Sequence, residues 1–279
     1  MSARNTIFSF NRVFMSRFKS SYTMTKEGSS HFTVQDLPNG GPFIAGSGAG
    51  GNDDWKKYKK VSIDPTSSER DPRDDYRTLV SAIVPRPIAL ILTLSKDGSL
   101  SNLAPFSYFG LSNADPPIFT VGITSATLNK DTARNLLETE ECTINIISEW
   151  FVEAANATCV NSPYGVSEWE ITGLTKADSE VVKPPHVLES AFSIEAKVVA
   201  VHEWKSRRNP DKVTGRTFIF EGVRFHARED VINEQLNGLD VGKLKPVSRL
   251  GGNTYGKTTE GFDISRPEYK DLCKDLETN

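Results

Sequence analysis

The chain has 279 residues, of which 37% are hydrophobic and 25% are charged, a composition typical of soluble globular domains. Its formal net charge of −3 and pI near 5.9 argue against a dedicated nucleic-acid-binding protein, because such proteins carry a basic excess. No apolar run approaches the ~18–20 residues of a membrane-spanning helix, and the cysteines are few and scattered, so we expect neither a membrane span nor a metal site.

The start of the chain differs in composition from the rest. Residues 1–26 contain five basic side chains and no carboxylate, and their apolar residues repeat at helical spacing. A basic, amphipathic, acid-free start is typical of a mitochondrial presequence, whereas the alternative is a disordered basic tail. Translation from Met15 or Met24 would shorten this segment and leave a cytoplasmic protein. We therefore predict a mitochondrial location for the full-length chain.

Residues 27–70 are predicted to be a flexible linker, because glycine, proline and asparagine are frequent and apolar residues are few. Within it, Gly46–Gly51 fits the G-x-G-x-x-G pattern of dinucleotide-binding folds. That pattern requires a buried strand before it and an apolar helix after it, and the flanking residues predict neither. We therefore predict no Rossmann fold, a folded domain over 71–260 and a tail over 261–279.

The folded domain begins with a predicted helix in DDYRTLVSAIV, which ends before Pro85. The run IALILTL predicts a buried strand, and the turn at Asp97 and Gly98 predicts a hairpin. We expect SLSNLAPFSYFGL to be one returning strand that is irregular at Pro105, because proline cannot donate to a ladder. A strand in IFTVGIT, a helix over about 130–138, a strand in ECTINII and a helix in EWFVEAANATC follow.

In the second half, FSIEAKVVAVHEW alternates between apolar and polar residues, which predicts a strand with Glu195 on its polar face. RTFIFEGVRFHA is the expected hairpin partner, and a change of apolar phase around Gly222 predicts a bulge. Many strands, hairpin turns and few helices together indicate a mainly β protein with a closed or nearly closed antiparallel barrel.

The helix start in TLNKDTARNLLE, residues 127–138, is the first candidate binding site. The N–H groups of a helix's first turn have no partner within the helix, and the helix dipole adds positive charge there, so a phosphate fits. Lys130 would add a charge, and Asn129 and Thr132 would add neutral donors. The alternative is ordinary capping by Asp131 or Asn129, which the triplet alone favours.

Two further clusters combine polar and aromatic residues. NLAPFSYF, residues 102–109, includes an asparagine, a serine and three aromatics where a plain hydrophobic strand is expected. Such a strand is either a core strand with an irregular edge or a surface that presents free backbone groups to a flat ligand. RLGGNTY, residues 249–255, joins glycines to an aromatic plane, and in isolation a surface turn explains it best.

Five marks occur in one order between residues 85 and 147: PRPIA, the Asp-Gly turn, N-x-A-P-x-S-x-F, DPP and K-D-T-x-x-N. In this order they resemble the flavin reductase-like family of FMN-binding split barrels, especially its flavoredoxin-like branch. RLGG…Y resembles that family's C-terminal segment, so the resemblance covers roughly residues 74–257. It implies that 71–260 is an antiparallel split β-barrel with a few decorating helices, preceded by a disordered N-terminal extension.

The resemblance also implies the cofactor FMN, held in a groove of the barrel where two subunits of a homodimer meet. Groups such as Lys130 and Thr132 would hold the phosphate, with Arg86 as a second cation. In full, the residues that the resemblance implies at FMN are Arg86, Asn102, Ala104, Phe106, Ser107, Tyr108, Thr124, Ser125, Asn129, Lys130, Asp131, Thr132 and Tyr255.

The activity that the resemblance implies is an NAD(P)H-dependent flavin reductase, in which nicotinamide passes a hydride to flavin N5. No protein acid, base or nucleophile is then essential, so we predict no catalytic side chain. Backbone N–H groups near 104–108 would stabilise the negative charge of the reduced ring. The alternatives are an electron-transfer flavoprotein that is supplied by a redox partner protein, and a flavin-binding module without turnover.

Overall fold

The computed structural model describes most of the chain beyond its first 31 residues. The predicted presequence at 1–26 lies outside the described part, as do Ser125 and Asn129, two residues expected at the cofactor. Within that part, no helix is both long enough and apolar enough to cross a membrane. The described residues are 32–38, 40–41, 43–49, 53–124, 130–163 and 165–272.

Strands dominate the described fold, and the helices are short. The strands are β1 (Thr33–Gln35), β2 (Ala89–Leu94), β3 (Ser101–Phe106), β4 (Phe109–Ala114), β5 (Pro117–Thr124), β6 (Glu141–Ile146), β7 (Lys176–Ala177), β8 (His186–Val187), β9 (Phe192–Lys205), β10 (Val213–Ala227), β11 (Val247–Arg249), β12 (Tyr255–Lys257) and β13 (Glu260–Phe262). The α-helices are α1 (Pro72–Ala82), α2 (Asp131–Thr139), α3 (Val152–Ala157), α4 (Glu168–Thr172) and α5 (Val241–Leu244), and short 3-10 helices lie at Asp54–Lys57 and Glu149–Phe151.

Seven strands form one antiparallel sheet in the order β3-β2-β6-β9-β10-β5-β4. Strands β3 and β4 follow each other in the chain but lie at opposite edges of this sheet, joined by a bend at Ser107 and Tyr108. So short a connection requires the sheet to curl until its two edges come together. The result is a barrel that is split between β3 and β4, which confirms the fold predicted from the sequence.

The single returning strand predicted for SLSNLAPFSYFGL is wrong, because β3 ends at Phe106 and β4 begins at Phe109. Both phenylalanines belong to the same interior, so the hydrophobic pattern continues across the bend and does not mark it. The bulge predicted around Gly222 is confirmed by a register shift between Gly222 and Arg224.

Strand β2 shows how the two sides of the sheet are covered. Ala89 and Ile91 belong to the cluster that fills the barrel, whereas Leu90 and Leu92 belong to a second cluster under α3 and α4. Because both faces of β2 are buried, its sequence is a continuous apolar run rather than an alternation. Leu136 of α2 joins the interior cluster, so this helix packs onto the inside of the barrel.

Glu195 lies on the polar face of β9, yet it is fully buried. Its carboxylate accepts hydrogen bonds of 2.6–2.8 Å from the backbone N–H groups of Glu180, Val181 and Val182. The Nε2 atom of His226 lies 2.7 Å from the same carboxylate. The loop between β7 and β8 therefore covers this part of the sheet and is held to it by one acidic side chain.

The segments predicted as linker and tail contribute a small sheet, in which β1 pairs in parallel with β13. Farther along, the Arg208 guanidinium donates hydrogen bonds to the carbonyl oxygens of Ser67 and Arg70. Strands of three residues have too few positions to show a hydrophobic period, so the sequence did not indicate the pairing of β1 with β13. The Arg208 bonds join residues far apart in the chain, and no local pattern indicates them.

Candidate functional site

Among the described residues, none provides a side-chain cap at the start of α2. Lys130 is the N-cap residue, with φ −70° and ψ 126°, and no capping hydrogen bond to a side chain is present. Arg134 donates its backbone N–H to the Lys130 carbonyl at 3.1 Å, which leaves the N–H groups of the three preceding helical residues available in the described part of the chain. Asp131 is the first helical residue instead of the cap, because the extended conformation falls one residue earlier.

Lys130 is exposed beside these N–H groups. Its ammonium nitrogen lies 5.9 Å from the centre of the Phe106 ring, within the range of a cation–π contact. A positive charge, N–H donors that have no partner among the described residues and the positive end of the helix dipole therefore meet beside an aromatic side chain.

Thr132 points into the protein. It is 2% exposed, and its Oγ1 accepts a hydrogen bond of 2.7 Å from Nδ2 of Asn102. A hydroxyl buried this deeply does not reach a ligand outside, so the direct phosphate contact expected of Thr132 does not fit this geometry. Asn102 is likewise bonded to the helix through its amide nitrogen.

The backbone N–H groups of β3 alternate between the neighbouring strand and the open edge. The hairpin bond from the Ser95 N–H to the Leu100 carbonyl, 2.8 Å long, sets this alternation, so even-numbered residues of β3 face β2. Ala104 and Phe106 therefore donate into the ladder, and the residue between them is a proline. The free N–H groups expected across 104–108 are thus restricted to the bend after β3.

The bend at Ser107 and Tyr108, together with neighbouring strand residues, includes the expected cofactor residues that solvent can reach. Tyr108 is 37% exposed. Burial of its ring raises the pKa of the phenol, and Tyr76 on α1 adds to the rise. Ala104 and Ser107 are half-buried, and Thr124 is exposed at the end of β5. These side chains remain able to contact a ligand that lies along the split of the barrel.

Arg86 has a different position from the one expected. It is 7% exposed, and its Nη1 donates to the carbonyl oxygens of Val80 and Ile83, both at 2.6 Å. Its Nη2 donates to the Leu250 carbonyl at 3.1 Å. The guanidinium therefore ties the end of α1 to the RLGGNTY segment, and this geometry does not fit the expected role as a second phosphate cation.

Arg249 is a better candidate for that cation. Its guanidinium carbon lies 4.6 Å from the centre of the Tyr255 ring, and its Nη2 donates to the Gly252 carbonyl at 2.7 Å. The Tyr255 hydroxyl donates to Oδ1 of Asn156 at 2.8 Å, which ties this segment to α3.

Cys159, just after α3, lies within electrostatic reach of both cations. Burial raises the pKa of its thiol, and the charges of Arg249 and Lys130 oppose that rise. Burial also raises the pKa of the Tyr255 phenol. Cys159 raises this pKa further, and Arg249 opposes the rise. The sequence indicated the segment around Tyr255 but not Arg249 as a binding residue, because only in the folded chain do the charges of residues 130 and 249 both act on the Cys159 thiol.

Asp131 adds a carboxylate next to the helix start. Burial raises its pKa, Arg134 opposes the rise from 3.6 Å, and Glu168 adds to it. Across the described ranges, no group of three or more His, Cys, Asp or Glu side chains is arranged to hold a metal ion.

Comparisons with known proteins agree with the fold and the motifs. The family model for the flavin reductase like domain matches residues 81–239. An uncharacterized protein of Halalkalibacterium halodurans is 37% identical over 212 residues, which cover 74% of this chain and 97% of that protein.

Two crystal structures are similar over their whole length. Nitrilotriacetate monooxygenase component B from Bacillus cereus is 33% identical, with a TM-score of 0.69, and the match covers 74% of this chain and 100% of that one. Pseudomonas fluorescens 2-nitrobenzoate 2-nitroreductase NbaA is 26% identical, with a TM-score of 0.65, over 76% of this chain and 98% of that one. The chain described here belongs to the flavin reductase-like family.

Proposed function

We propose that this protein binds FMN and acts as an NAD(P)H-dependent flavin reductase. The observation that carries the proposal is the start of α2, where the first-turn N–H groups have no partner in the described part of the chain and Lys130 lies beside the Phe106 ring. Family membership supports flavin binding, and the helix start supports a flavin that carries a phosphate. Together these two features favour FMN over an unphosphorylated flavin.

The residues at this site fit a phosphorylated flavin. Unpaired N–H groups at a helix start stabilise a phosphate dianion, and Lys130 would add a charge-assisted hydrogen bond. Arg249 would add a second positive charge in place of Arg86. The half-buried and exposed side chains Ser107, Tyr108 and Thr124 would line the remainder of the cofactor along the split between β3 and β4.

Bound FMN would supply the redox chemistry, as the acceptor of a hydride from the nicotinamide of NADH or NADPH. The chain itself would hold the phosphate, orient the ring beside β3 and leave one ring face open to nicotinamide. None of these tasks requires a side chain to gain or lose a proton. Our proposal therefore includes no catalytic acid, base or nucleophile.

The names of the two similar structures are consistent with redox chemistry. One is a component of a monooxygenase and the other is a nitroreductase, at 33% and 26% identity to this chain. We infer oxidoreductase activity from this agreement, with NAD(P)H or a redox partner protein as the source of electrons.

We further propose that the protein is a homodimer whose interface borders the cofactor. Tyr76, Leu79 and Ile83 are 58%, 53% and 59% exposed, and their spacing puts them on one side of α1. A contiguous apolar surface of this kind marks an interaction site more often than a free surface. Arg86 joins this helix to the segment that carries Arg249, so a second subunit at α1 would lie next to the proposed phosphate site.

We also propose a mitochondrial location, on the basis of the composition of residues 1–26. Sequencing the N-terminus of the protein purified from its own cells tests this proposal. A mature start beyond residue 26 supports import and cleavage, and an intact N-terminus contradicts it.

A reduction assay without air tests the function and separates it from its alternatives. The purified protein is examined for yellow colour, the released cofactor is identified, and NADH or NADPH is then added. Bleaching of the flavin absorbance supports a reductase. A yellow protein that neither nucleotide bleaches supports an electron carrier or a binding module. A colourless protein that gains no flavin on titration contradicts the whole proposal.

A further inference from the structure

We propose that Asn102 and Asn135 are positioning residues, which fix α2 on strands β2 and β3 so that its unpaired N–H groups meet the flavin phosphate. This proposal rests on the phosphate site described under the proposed function. It gives Asn102 a task other than contact with the flavin ring, and it gives Asn135, the last residue of K-D-T-x-x-N, a specific structural task.

One buried and one partly buried hydrogen bond join the helix to the sheet. Nδ2 of Asn102 donates to Oγ1 of Thr132 at 2.7 Å, and Nδ2 of Asn135 donates to Oγ1 of Thr93 at 3.0 Å. Thr132, Asn135 and Thr93 are 2%, 3% and 0% exposed. The Asn135–Thr93 bond is shielded from water and the Asn102–Thr132 bond is shielded on its threonine side, so each bond constrains both a distance and a direction.

On the sheet, the two bonds involve one pair of directly opposite residues. Thr93 of β2 and Asn102 of β3 are direct partners in the antiparallel ladder. Thr132 and Asn135 are three residues apart, so they lie on the same side of α2 about one turn from each other. This pair of sheet residues therefore holds one turn of the helix at two points. Two points of attachment fix the rotation of the helix about its axis as well as its height above the sheet.

The rotation matters because N–H groups are directional donors. A first turn that rolls or tilts presents fewer of its N–H groups to a phosphate. The apolar contacts of Ala133 and Leu136 with the barrel interior hold the helix down, but they are not directional. The two amide–hydroxyl bonds thus supply an alignment that packing alone does not.

The state of Asn135 supports a positional role. Its Oδ1 is buried and accepts no hydrogen bond from the residues that the structure describes, which is an unfavourable arrangement for a polar atom. Leucine has nearly the same shape and would avoid this cost. A residue retained for stability alone gains little from such an atom, whereas a residue that aligns the helix needs its amide nitrogen.

The test compares FMN with riboflavin, which lacks only the phosphate. Flavin-free full-length protein is titrated with each ligand by calorimetry. We expect Asn102→Leu and Thr132→Val each to weaken FMN binding about tenfold and to leave riboflavin binding unchanged. Thr132→Ser keeps the acceptor oxygen and should bind FMN as the unaltered protein does. The double variant should bind FMN no more weakly than either single variant, because both remove the same bond.

Three results would overturn the proposal. Weaker FMN binding in Thr132→Val with unchanged binding in Asn102→Leu would mean that Thr132 contacts the phosphate itself. Losses that multiply in the double variant would mean that the two residues act independently. Equal weakening of both flavins would mean a general packing defect. By contrast, an unaltered protein that binds riboflavin as tightly as FMN contradicts the phosphate site, and with it the proposed function.

Hydrogen–deuterium exchange gives a second readout that needs no flavin. In flavin-free protein, Asn135→Ala should speed exchange of the amides over 134–139 and leave those of β6 unchanged. Asn102→Ala gives the same comparison if Asn102→Leu does not fold. Unchanged exchange in α2 for both alanine variants overturns the proposal, because the helix is then held without these bonds.

Discussion

The ammonium nitrogen of Lys130 lies 5.9 Å from the centre of the Phe106 ring, at the uncapped start of α2. Lys130 follows strand β5 in the chain, whereas Phe106 ends strand β3. Their contact brings a charge that suits a phosphate next to the end of β3, where the buried Phe106 ring belongs to the barrel interior.

Replacing Lys130 by alanine removes one charge-assisted contact to a phosphate. We expect FMN affinity to fall by about 1.5–3 kcal/mol, which is roughly 10- to 150-fold. The melting temperature of the flavin-free protein should change little, because the side chain is exposed. Titration with FMN and thermal unfolding measure the two effects, and Lys212→Ala, another exposed lysine, is the control. Reduced stability with unaltered affinity would instead favour a packing role.

Arg86 and Arg249 should respond in opposite ways to the same substitution. Arg86→Met leaves the carbonyl oxygens of Val80, Ile83 and Leu250 without their donor, so we expect the free energy of unfolding to fall by about 2–4 kcal/mol. Arg249→Met should change it by less than about 1 kcal/mol and should weaken FMN binding. Urea unfolding and FMN titration of both variants test this pair. Weaker FMN binding by Arg86→Met, with a large loss of stability in Arg249→Met instead, would mean that Arg86 binds the phosphate.

The dimer proposal predicts that a charge on the exposed side of α1 separates the subunits. Leu79→Glu should give a monomer by light scattering, because a carboxylate buried at an apolar interface is costly. FMN should also bind more weakly to it if the partner covers the site. Leu188 lies outside α1 and is 59% exposed, so Leu188→Glu is the matched control and should remain a dimer. A Leu79→Glu dimer of normal stability would exclude this face.

We expect the burial of His186 against His226 to make stability depend on pH. The two rings lie 4.3 Å apart. Burial lowers the pKa of His186 from its usual 6.5, His226 lowers it further, and Glu195 and Asp178 oppose this. The unfolded chain therefore binds a proton at a higher pH than the folded chain, so stability is complete above about 6.5 and falls as the pH drops below it. Urea unfolding between pH 7.5 and 5.5 should show this loss, and His186→Asn should reduce it.

Glu195 should cause a second loss of folding stability, at lower pH than the one from His186. Burial alone raises the pKa of its carboxyl, but the N–H groups of the loop between β7 and β8 and the ring of His226 outweigh burial and lower it to about 2. A lowered carboxyl pKa stabilises the fold above the usual value of 4.5, and this stability is lost as the pH falls from there towards 2. At pH 7, Glu195→Gln should cost about 2–4 kcal/mol. Glu234→Gln, at an exposed position, should cost almost nothing.

Gly222 is required by close packing inside the barrel. A Cβ atom there would lie 2.9 Å from ring carbons of Phe119 and Phe225 and 3.3 Å from Ile194. We expect Gly222→Ala to lower the free energy of unfolding by about 1–3 kcal/mol. Gly110→Ala is the control, since a Cβ at Gly110 meets no heavy atom within 4 Å. Equal stability of the two variants would show that the aromatic rings yield without cost.

Much of the barrel was predictable from local patterns. The continuous apolar run of β2, the Asp-Gly turn and the phase change around Gly222 are each properties of a few neighbouring residues. The crossing from β3 to β4 was not predictable, because Phe106 and Phe109 face the same interior on both sides of the bend. A hydrophobic pattern reports burial, and it does not report which strand covers a residue.

The candidate site divides in the same way. The sequence by itself determined the family, the helix start and its lysine, because the order of motifs and the ends of helices are local features. The tertiary structure alone decided that Thr132 faces inward, that the Arg86 guanidinium bonds to the end of helix α1 and that Arg249 stacks on Tyr255. These three outcomes depend on how side chains pack between segments, and that packing exists only once the barrel has closed.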